Sequence, residues 1–330
     1  MSMQRICIVG PGAIGGMMAV HMQRAGYDVS ALARSTKVAE INQKGIKLLD
    51  GGQTYTAKPK AAVDARDLGP QDLVIVTVKA AGLPWVAEHL QTLSHPDTAW
   101  VFVMNGVPWW FFHGFGGEHA GTGLQSIDPG GVLSTALPAD RIMWGVINCN
   151  VAIEIDGTLN HAHSNQLQLG RPSGSLNGLD TVANVFRAAG YNTDLSPTIR
   201  DAIWGKLLVN MTFNPLSVLT MATTDLLLSD PLVRDLAIKA VDEGRAVGEA
   251  LGIASGPSGA QRFLAPTKPA VSAKTSMLAD FERGRALEVS PLIGAVVEIA
   301  NLVGVSVPFT KALYGLIRLR SQISAQTNPI

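Results

Sequence analysis

Residues 5–16, RICIVGPGAIGG, restrict the start of this chain to very few folds. An apolar run, Ile6-Cys7-Ile8-Val9, stops at Gly10. Gly10, Gly12 and Gly15 then follow in G-x-G-x-x-G register, ahead of a helix-forming stretch that reaches about residue 25. A strand, a tight turn and a helix N-terminus in this order make a cradle for a dinucleotide pyrophosphate. Gly10 permits the turn, Gly12 lets the phosphates approach the backbone, and Gly15 lets the helix lie close to the strand. The free N–H groups of the first helical turn, around Ala13 and Ile14, and the positive end of the helix dipole meet the anion.

The next strand, expected at 28–33, bears on the choice of dinucleotide. An Asp or Glu about 20 residues past the glycines would take a ribose 2′-OH. This chain instead reads Ala33-Arg34-Ser35-Thr36-Lys37. Arg34 can stack on adenine and pair with a 2′-phosphate, with Lys37 and the hydroxyls assisting. NADP(H) is therefore expected over NAD(H). The plainer alternative is that Arg34 is a solvated loop residue.

The chain has 330 residues, enough for two domains, and 47% of them are hydrophobic against 16% charged. Formal net charge is zero, which argues against a broad footprint for nucleic acid or an anionic membrane. Cys7 and Cys149 both lie in apolar runs and are expected as buried small hydrophobes, with no disulfide and no metal site. The chain enters its first strand at once, leaving no room for a signal peptide. Residues 291–308 carry Glu298 and Asn301, so they are expected as a buried helix rather than a membrane span. A reduced cytoplasm is the expected compartment.

Strand signals at 5–9, 28–33, 73–78 and 99–104 alternate with helix signals near 14–25 and 85–93. The runs at 73–78 and 99–104 are continuously apolar, as in central parallel strands. From residue 142 the texture changes: 143–155 and 158–169 read as a hairpin about Asp156-Gly157, and 177–189 as a helix. After 195–197 only helices are expected, at 198–219, 231–251, 272–283, 291–303 and 308–322. The resulting fold class is an α/β Rossmann-type N-terminal domain with an added β-hairpin, 1–196, and an all-α C-terminal domain for substrate and dimerisation, 197–330. The cleft between them is the expected active site.

Lys206, Asn210 and Asn214 are four apart and share one helical stripe in an otherwise apolar segment. A lysine and two amides there are costly unless something satisfies them, and a substrate bearing a carbonyl, a carboxylate and hydroxyls would do so. A snorkelling lysine beside two satisfied amides is the alternative. Pro215 withholds its N–H, which kinks the helix or frees a carbonyl near Asn214. Ser276 and Asp280, one turn apart, and Glu288 form a second polar group, suited to a hydroxylated substrate or to caps and surface ion pairs. Lys79 and Asn105 stand past the carboxyl ends of two strands, where open α/β sheets bind ligands, with an ordinary loop position as the alternative for either.

Several of these motifs, taken in order, resemble the ketopantoate reductase (2-dehydropantoate 2-reductase) family. They are GPGAIGG, Arg34, T-V-K-A around Lys79, N-G at Asn105, W-G-K-L-L-V-N-M-T-F-N-P-L at 204–216, S-M-L-A-D at 276–280 and L-E-V at 287–289. The resemblance spans nearly the whole chain. It implies NADPH-dependent reduction of a 2-oxo acid to a 2-hydroxy acid, on the route to pantothenate; separately, the long apolar helices of the second half, with little left to cover them, are expected to build a homodimer. It also implies Lys206 as general acid and Glu288 as the substrate-ordering carboxylate. Asn105, Asn210, Asn214 and Ser276 correspond to substrate-binding positions. Gly10, Gly12, Ala13, Ile14, Gly15, Arg34, Lys79 and Asn105 correspond to cofactor-binding positions. The chain departs from the family pattern at the aromatic block 109–112, at Ser290 and at 125–135. A substrate bulkier than ketopantoate, a different oxo or imine substrate, and an NADP(H)-binding regulator without turnover remain open alternatives.

Overall fold

Runs of Val, Ile and Leu bounded by glycine turns build one large sheet, because β-branched residues fit a pleated surface covered on both faces. The structure, a computed structural model, describes residues 3–263 and 272–327. The chain divides into two compact units. Unit 1 takes Met1–Met104, Phe112–Thr122 and Gly131–Ile199, and unit 2 takes Asn105–Phe111, Gly123–Gly130 and Arg200–Ile330. Two excursions of the N-terminal half, 105–111 and 123–130, thus belong to unit 2, which a single division at 196/197 does not capture. Residues 1–2 and 328–330, at the ends of the two expected stretches, lie outside the described residues.

Unit 1 contains ten strands: β1 (Arg5–Val9), β2 (Asp28–Leu32), β3 (Ile46–Asp50), β4 (Gln53–Ala57), β5 (Lys60–Ala62), β6 (Leu73–Val76), β7 (Ala99–Phe102), β8 (Ile142–Ile153), β9 (Leu159–Gly170) and β10 (Asn192–Leu195). They form one sheet in the order β4-β3-β9-β8-β7-β6-β1-β2-β5, with β10 beside β9. β1 pairs in parallel with β2 and β6, β6 with β7, and β7 with β8, whereas β8 and β9 form the expected antiparallel hairpin. The helices of this unit are α1 (Ala13–Arg24), α2 (Ser35–Lys44), α3 (Leu83–Leu90), α4 (Val132–Ala136) and α5 (Leu179–Ala188). β6 ends at Val76 rather than at residue 78, because Thr77 turns its hydroxyl to the Gly10 carbonyl, 2.7 Å away. Cys7 is fully buried and its thiol is pushed up to about 12 by burial. Cys149 is only half-buried, because the outer part of β8 is one-sided.

Unit 2 is helical: α6 (Ile199–Thr220), α7 (Thr224–Ser229), α8 (Pro231–Ala250), α9 (Gly259–Phe263), α10 (Ser276–Glu282), α11 (Ala295–Leu302) and α12 (Pro308–Thr327). One π turn, Ser290–Gly294, leads into α11. Asp230 accepts from the N–H groups of Leu232 and Val233 and so starts α8 at Pro231. Glu298 on α11 accepts from the N–H groups of Gln125 and Ser126 at 2.7 and 2.8 Å, which fixes the excursion 123–130 in this unit. No helix among the described residues is long and apolar enough to cross a membrane.

The aromatic block is buried throughout. Trp110 and Phe111 pack in unit 2. The Arg200 guanidinium lies 5.3 Å from the Trp110 ring centroid and donates to the Phe111 carbonyl at 2.8 Å, and the Phe111 ring meets Trp204 at 5.7 Å. Phe112 packs in unit 1 against Phe115 and His119. Trp204 in turn donates Nε1–H to the Gly244 carbonyl of α8 at 3.1 Å. Trp110 and Phe111 thereby prop the first half of α6, immediately before Lys206.

Candidate active site

In unit 1 the parallel register aligns the carboxyl ends of the central strands: Val9 pairs with Leu32 and with Val76. Gly10 follows β1 with φ +82°, and a Cβ there would stand 2.6 Å from Val78 Cγ1, so no other residue fits this turn without strain. A Cβ on Gly15 would strike the Thr77 hydroxyl and come within 2.8 Å of the Gly10 carbonyl. Gly12 faces the other way. Its nearest neighbour would be the Gly10 carbonyl at 4.0 Å, which leaves that side open to a ligand. Gly12 caps α1 without any side-chain hydrogen bond, and the first turn, with Ala13 and Ile14, holds no acidic residue. An uncapped helix end beside an open glycine face suits a pyrophosphate.

Arg34 follows β2, is exposed, and sits in extended backbone as the N-cap residue of α2. Lys37, expected to assist it, instead pairs with Glu40 on its own helix at 2.9 Å. Lys79 is half-buried at the start of a short 3-10 turn after β6.

In unit 2 the expected stripe lies on α6: Lys206 and Asn210 are half-buried and Asn214 is buried. The other buried hydroxyls of the helix are satisfied. Thr212 donates to the Leu208 carbonyl and Ser217 to the Asn214 carbonyl. The Asn214 side-chain nitrogen is buried with no hydrogen-bond partner, a state that costs about 1–3 kcal/mol. Pro215 also leaves the Met211 carbonyl without its usual donor.

A short relay joins this helix to α10. Thr275 Oγ1 lies 2.6 Å from Ser217 Oγ, which reaches the Asn214 carbonyl at 2.9 Å. The cap of α10 is Thr275, which accepts from Leu278 N–H at 3.1 Å, so Ser276 is left exposed as the first helical residue. Asp280 is held by Arg285 at 2.6 Å and acts as an ion-pair partner. Thr275 and Ser217 were not singled out in the sequence. The T-S dipeptide opening an apolar helical run was the available signal for the cap.

The segment after Asn105 packs on the π turn that follows Glu288. Gly106 has φ +88°, and its missing Cβ would lie 2.6 Å from the Pro291 carbonyl. Val107 N–H donates to that carbonyl at 2.9 Å. Asn105 lies two residues before one end of this hydrogen bond and half-buried Glu288 three before the other, at a π turn, a device frequent at functional sites.

A G-x-G-x-x-G turn on a largely parallel sheet in unit 1, and a lysine-and-amide stripe on a helix of unit 2, are the features expected of a nicotinamide-dependent oxidoreductase. Residues 6–109 match the family described as Ketopantoate reductase PanE/ApbA, and residues 198–321 match Ketopantoate reductase PanE/ApbA C terminal. A 2-dehydropantoate 2-reductase of Mesorhizobium japonicum is 36% identical over 95% of this chain and 97% of its own. A protein of Ralstonia solanacearum provisionally identified as a ketopantoate reductase superposes with a TM-score of 0.89 at 38% identity, covering 99% of both chains. A D-mandelate dehydrogenase solved with NADH and anilino(oxo)acetate shares the fold, with a TM-score of 0.82 at 20% identity over 97% of this chain and 99% of its own. The chain belongs to the ketopantoate reductase family.

Gly106→Ala should destabilise the protein by about 1–3 kcal/mol, since the new Cβ meets Pro291 and the left-handed backbone disfavours alanine. Urea unfolding measures this, and wild-type stability would show that the turn tolerates a side chain.

Proposed function

We propose that the chain reduces a 2-oxo acid, ketopantoate or a bulkier analogue, to the 2-hydroxy acid at the expense of NADPH. The observation that carries this reading is the α6 stripe, where Asn214 keeps a buried amide donor that no protein group satisfies. A substrate oxygen would answer it. Gly10, Gly12, Ala13, Ile14 and Gly15 would hold the pyrophosphate, Lys79 and Asn105 would complete the cofactor set, and exposed Arg34 would pair with the 2′-phosphate. NADPH supplies a hydride to the carbonyl carbon. Lys206 stabilises the charge that develops on the carbonyl oxygen and delivers its proton there, giving the alcohol. Asn105, Asn210, Asn214 and Ser276 hydrogen-bond the carboxylate and hydroxyls of the substrate. Glu288 accepts from a substrate hydroxyl and fixes its orientation. Loss of NADPH absorbance with a panel of 2-oxo acids tests the reading, and no turnover of any member would overturn it.

We further infer a homodimer in the cytoplasm. α12 exposes Phe309, Leu316, Leu319 and Ile323 along one helical stripe, while Leu313 and Ile317 on the same helix are buried. A second copy of the stripe would cover these rings and chains.

Lys206→Ala should lower kcat by about 10²–10⁴-fold while NADPH still binds, as read by steady-state kinetics and fluorescence titration. Turnover within a few-fold of wild type would remove Lys206 from the proton-donor role. Arg34→Ala should lower kcat/KM for NADPH by roughly ten- to a hundred-fold and leave NADH use nearly unchanged, because a charge-assisted phosphate contact contributes about 1.5–3 kcal/mol. Equal effects on both cofactors would refute the phosphate contact. Light scattering should return twice the chain mass, and Leu316→Glu with Leu319→Glu should shift it toward the monomer.

A further inference from the structure

His21, Asp50 and His161 converge in unit 1 at the end of α1 opposite the glycine turn. The nine residues from Gly12 to His21 set the two about 13 Å apart along the helix. Three elements supply the cluster. β3 and β9 pair in parallel with Asp50 opposite His161. α1 lies close on both strands because Gly16 has no Cβ, which would stand 2.7 Å from Leu159 Cδ1 and 3.4 Å from Ile46 Cγ2. His21, in the last turn of α1, then reaches the Asp50 carboxylate.

The donor atoms are close enough to share one ion. His21 Nε2 lies 3.1 Å from Asp50 Oδ2, and His161 Nδ1 lies 2.9 Å from Asp50 Oδ1. One ligand atom from each of the three residues falls within 4.8 Å of the other two. Ligands of a tetrahedral zinc ion, at about 2.0–2.2 Å from the metal, stand roughly 3.3–3.5 Å from one another.

The outer shell points the same way. His161 Nε2 donates to the Ser164 carbonyl at 3.0 Å, and His21 Nδ1 lies 3.0 Å from the Tyr191 hydroxyl. Metal-bound imidazoles characteristically engage their second nitrogen in this manner, which fixes the ring and leaves the other nitrogen for the ion. Ser164 takes φ +65°, an uncommon conformation for a residue other than glycine, and presents its carbonyl to the ring. Without metal, the two nitrogens of His161 face a carboxylate and a carbonyl, so full satisfaction requires a proton on each. A cation takes the place of the one on Nδ1.

We propose that His21, Asp50 and His161 bind one divalent transition-metal ion of the zinc or cobalt(II) class, as a structural clamp on α1, β3 and β9 separate from the reaction centre. Two imidazoles and one carboxylate select this class over magnesium or calcium. Water completes the coordination through the side on which the Asp50 side chain is 28% exposed. Burial pushes the His21 imidazole down, which keeps a lone pair available, although Asp50 opposes the shift. The Asp50 carboxyl is held below its usual range: burial raises it, but its bonds to His161 and His21 outweigh that. Burial keeps the Tyr191 phenol neutral. The Arg24 guanidinium is the one opposing charge among the described contacts. It stands 4.0 Å from Asp50 Oδ2 and is drawn over the Tyr55 ring at 3.5 Å.

The full chain, stripped with chelator and dialysed, is titrated with cobalt(II). It should develop the visible absorption of a low-coordinate cobalt site at one ion per chain, and zinc should abolish that signal and raise Tm. Asp50→Asn and His161→Gln should each weaken binding by at least tenfold, and Arg24→Gln should tighten it several-fold by removing the competing cation. A wild-type chain that shows no cobalt spectrum and does not compete with a micromolar chromophoric chelator overturns the proposal, whether or not the variants fold. Unchanged binding in folded Asp50→Asn and His161→Gln overturns it equally.

Discussion

α6 passes through the interior of unit 2 with polar side chains aboard, and the cost of burying them organises much of what surrounds it. Trp204 finds the Gly244 carbonyl, Thr212 the Leu208 carbonyl, and Ser217 the Asn214 carbonyl. Each is a local answer to the same penalty, since a buried donor left unpaired forfeits its hydration. The Ser217 answer recruits Thr275 and so places α10. The Trp204 answer anchors α6 to α8, and the Phe111 ring that covers Trp204 draws 105–111 into this unit. Against that background the unpaired Asn214 nitrogen is conspicuous. The helix satisfies its other buried hydroxyl and indole donors and leaves this one amide open.

The same accounting runs through the excursions. Residues 123–130 join unit 2 through buried Leu124 and two backbone N–H groups accepted by Glu298. Glu243 performs the matching service for α12, accepting from Phe309 and Thr310 N–H. Carboxylates inside helices thus act as caps for segments distant in sequence.

Local signals in the chain carried the elements whose physics is local. The glycine turn, the hairpin about Asp156-Gly157 and the long C-terminal helices were readable because φ preferences and apolar periodicity act within a few residues. β3, β4, β5 and β10 were not readable. Gln53–Ala57 is largely polar and exposed, and it is a strand only because β3 offers its edge. α2 was hidden by its polar composition. On the site, the stripe of Lys206, Asn210 and Asn214 followed from helical spacing alone. The roles of Thr275, Gly106 and Pro291 depend on partners tens to hundreds of residues away, and no window of sequence contains them. The cluster of His21, Asp50 and His161 escaped for the same reason, since its members come from a helix and two strands 29 to 140 residues apart in the chain.

Because unit 2 draws on 105–111, 123–130 and 200–330, the backbone changes unit five times along its length. This has a bearing on how the polypeptide emerges from a ribosome. Unit 1 cannot be complete until residue 199 has been made. By then two stretches destined for the other unit have been synthesised without their helical partners, and one of them carries Trp109, Trp110 and Phe111. Those rings must wait, exposed or provisionally sheltered, until α6 arrives with Arg200 and Trp204. Cutting the gene at the apparent seam would strand them permanently. A division of the gene between residues 199 and 200 would therefore not separate the two units, because 105–111 and 123–130 belong to unit 2.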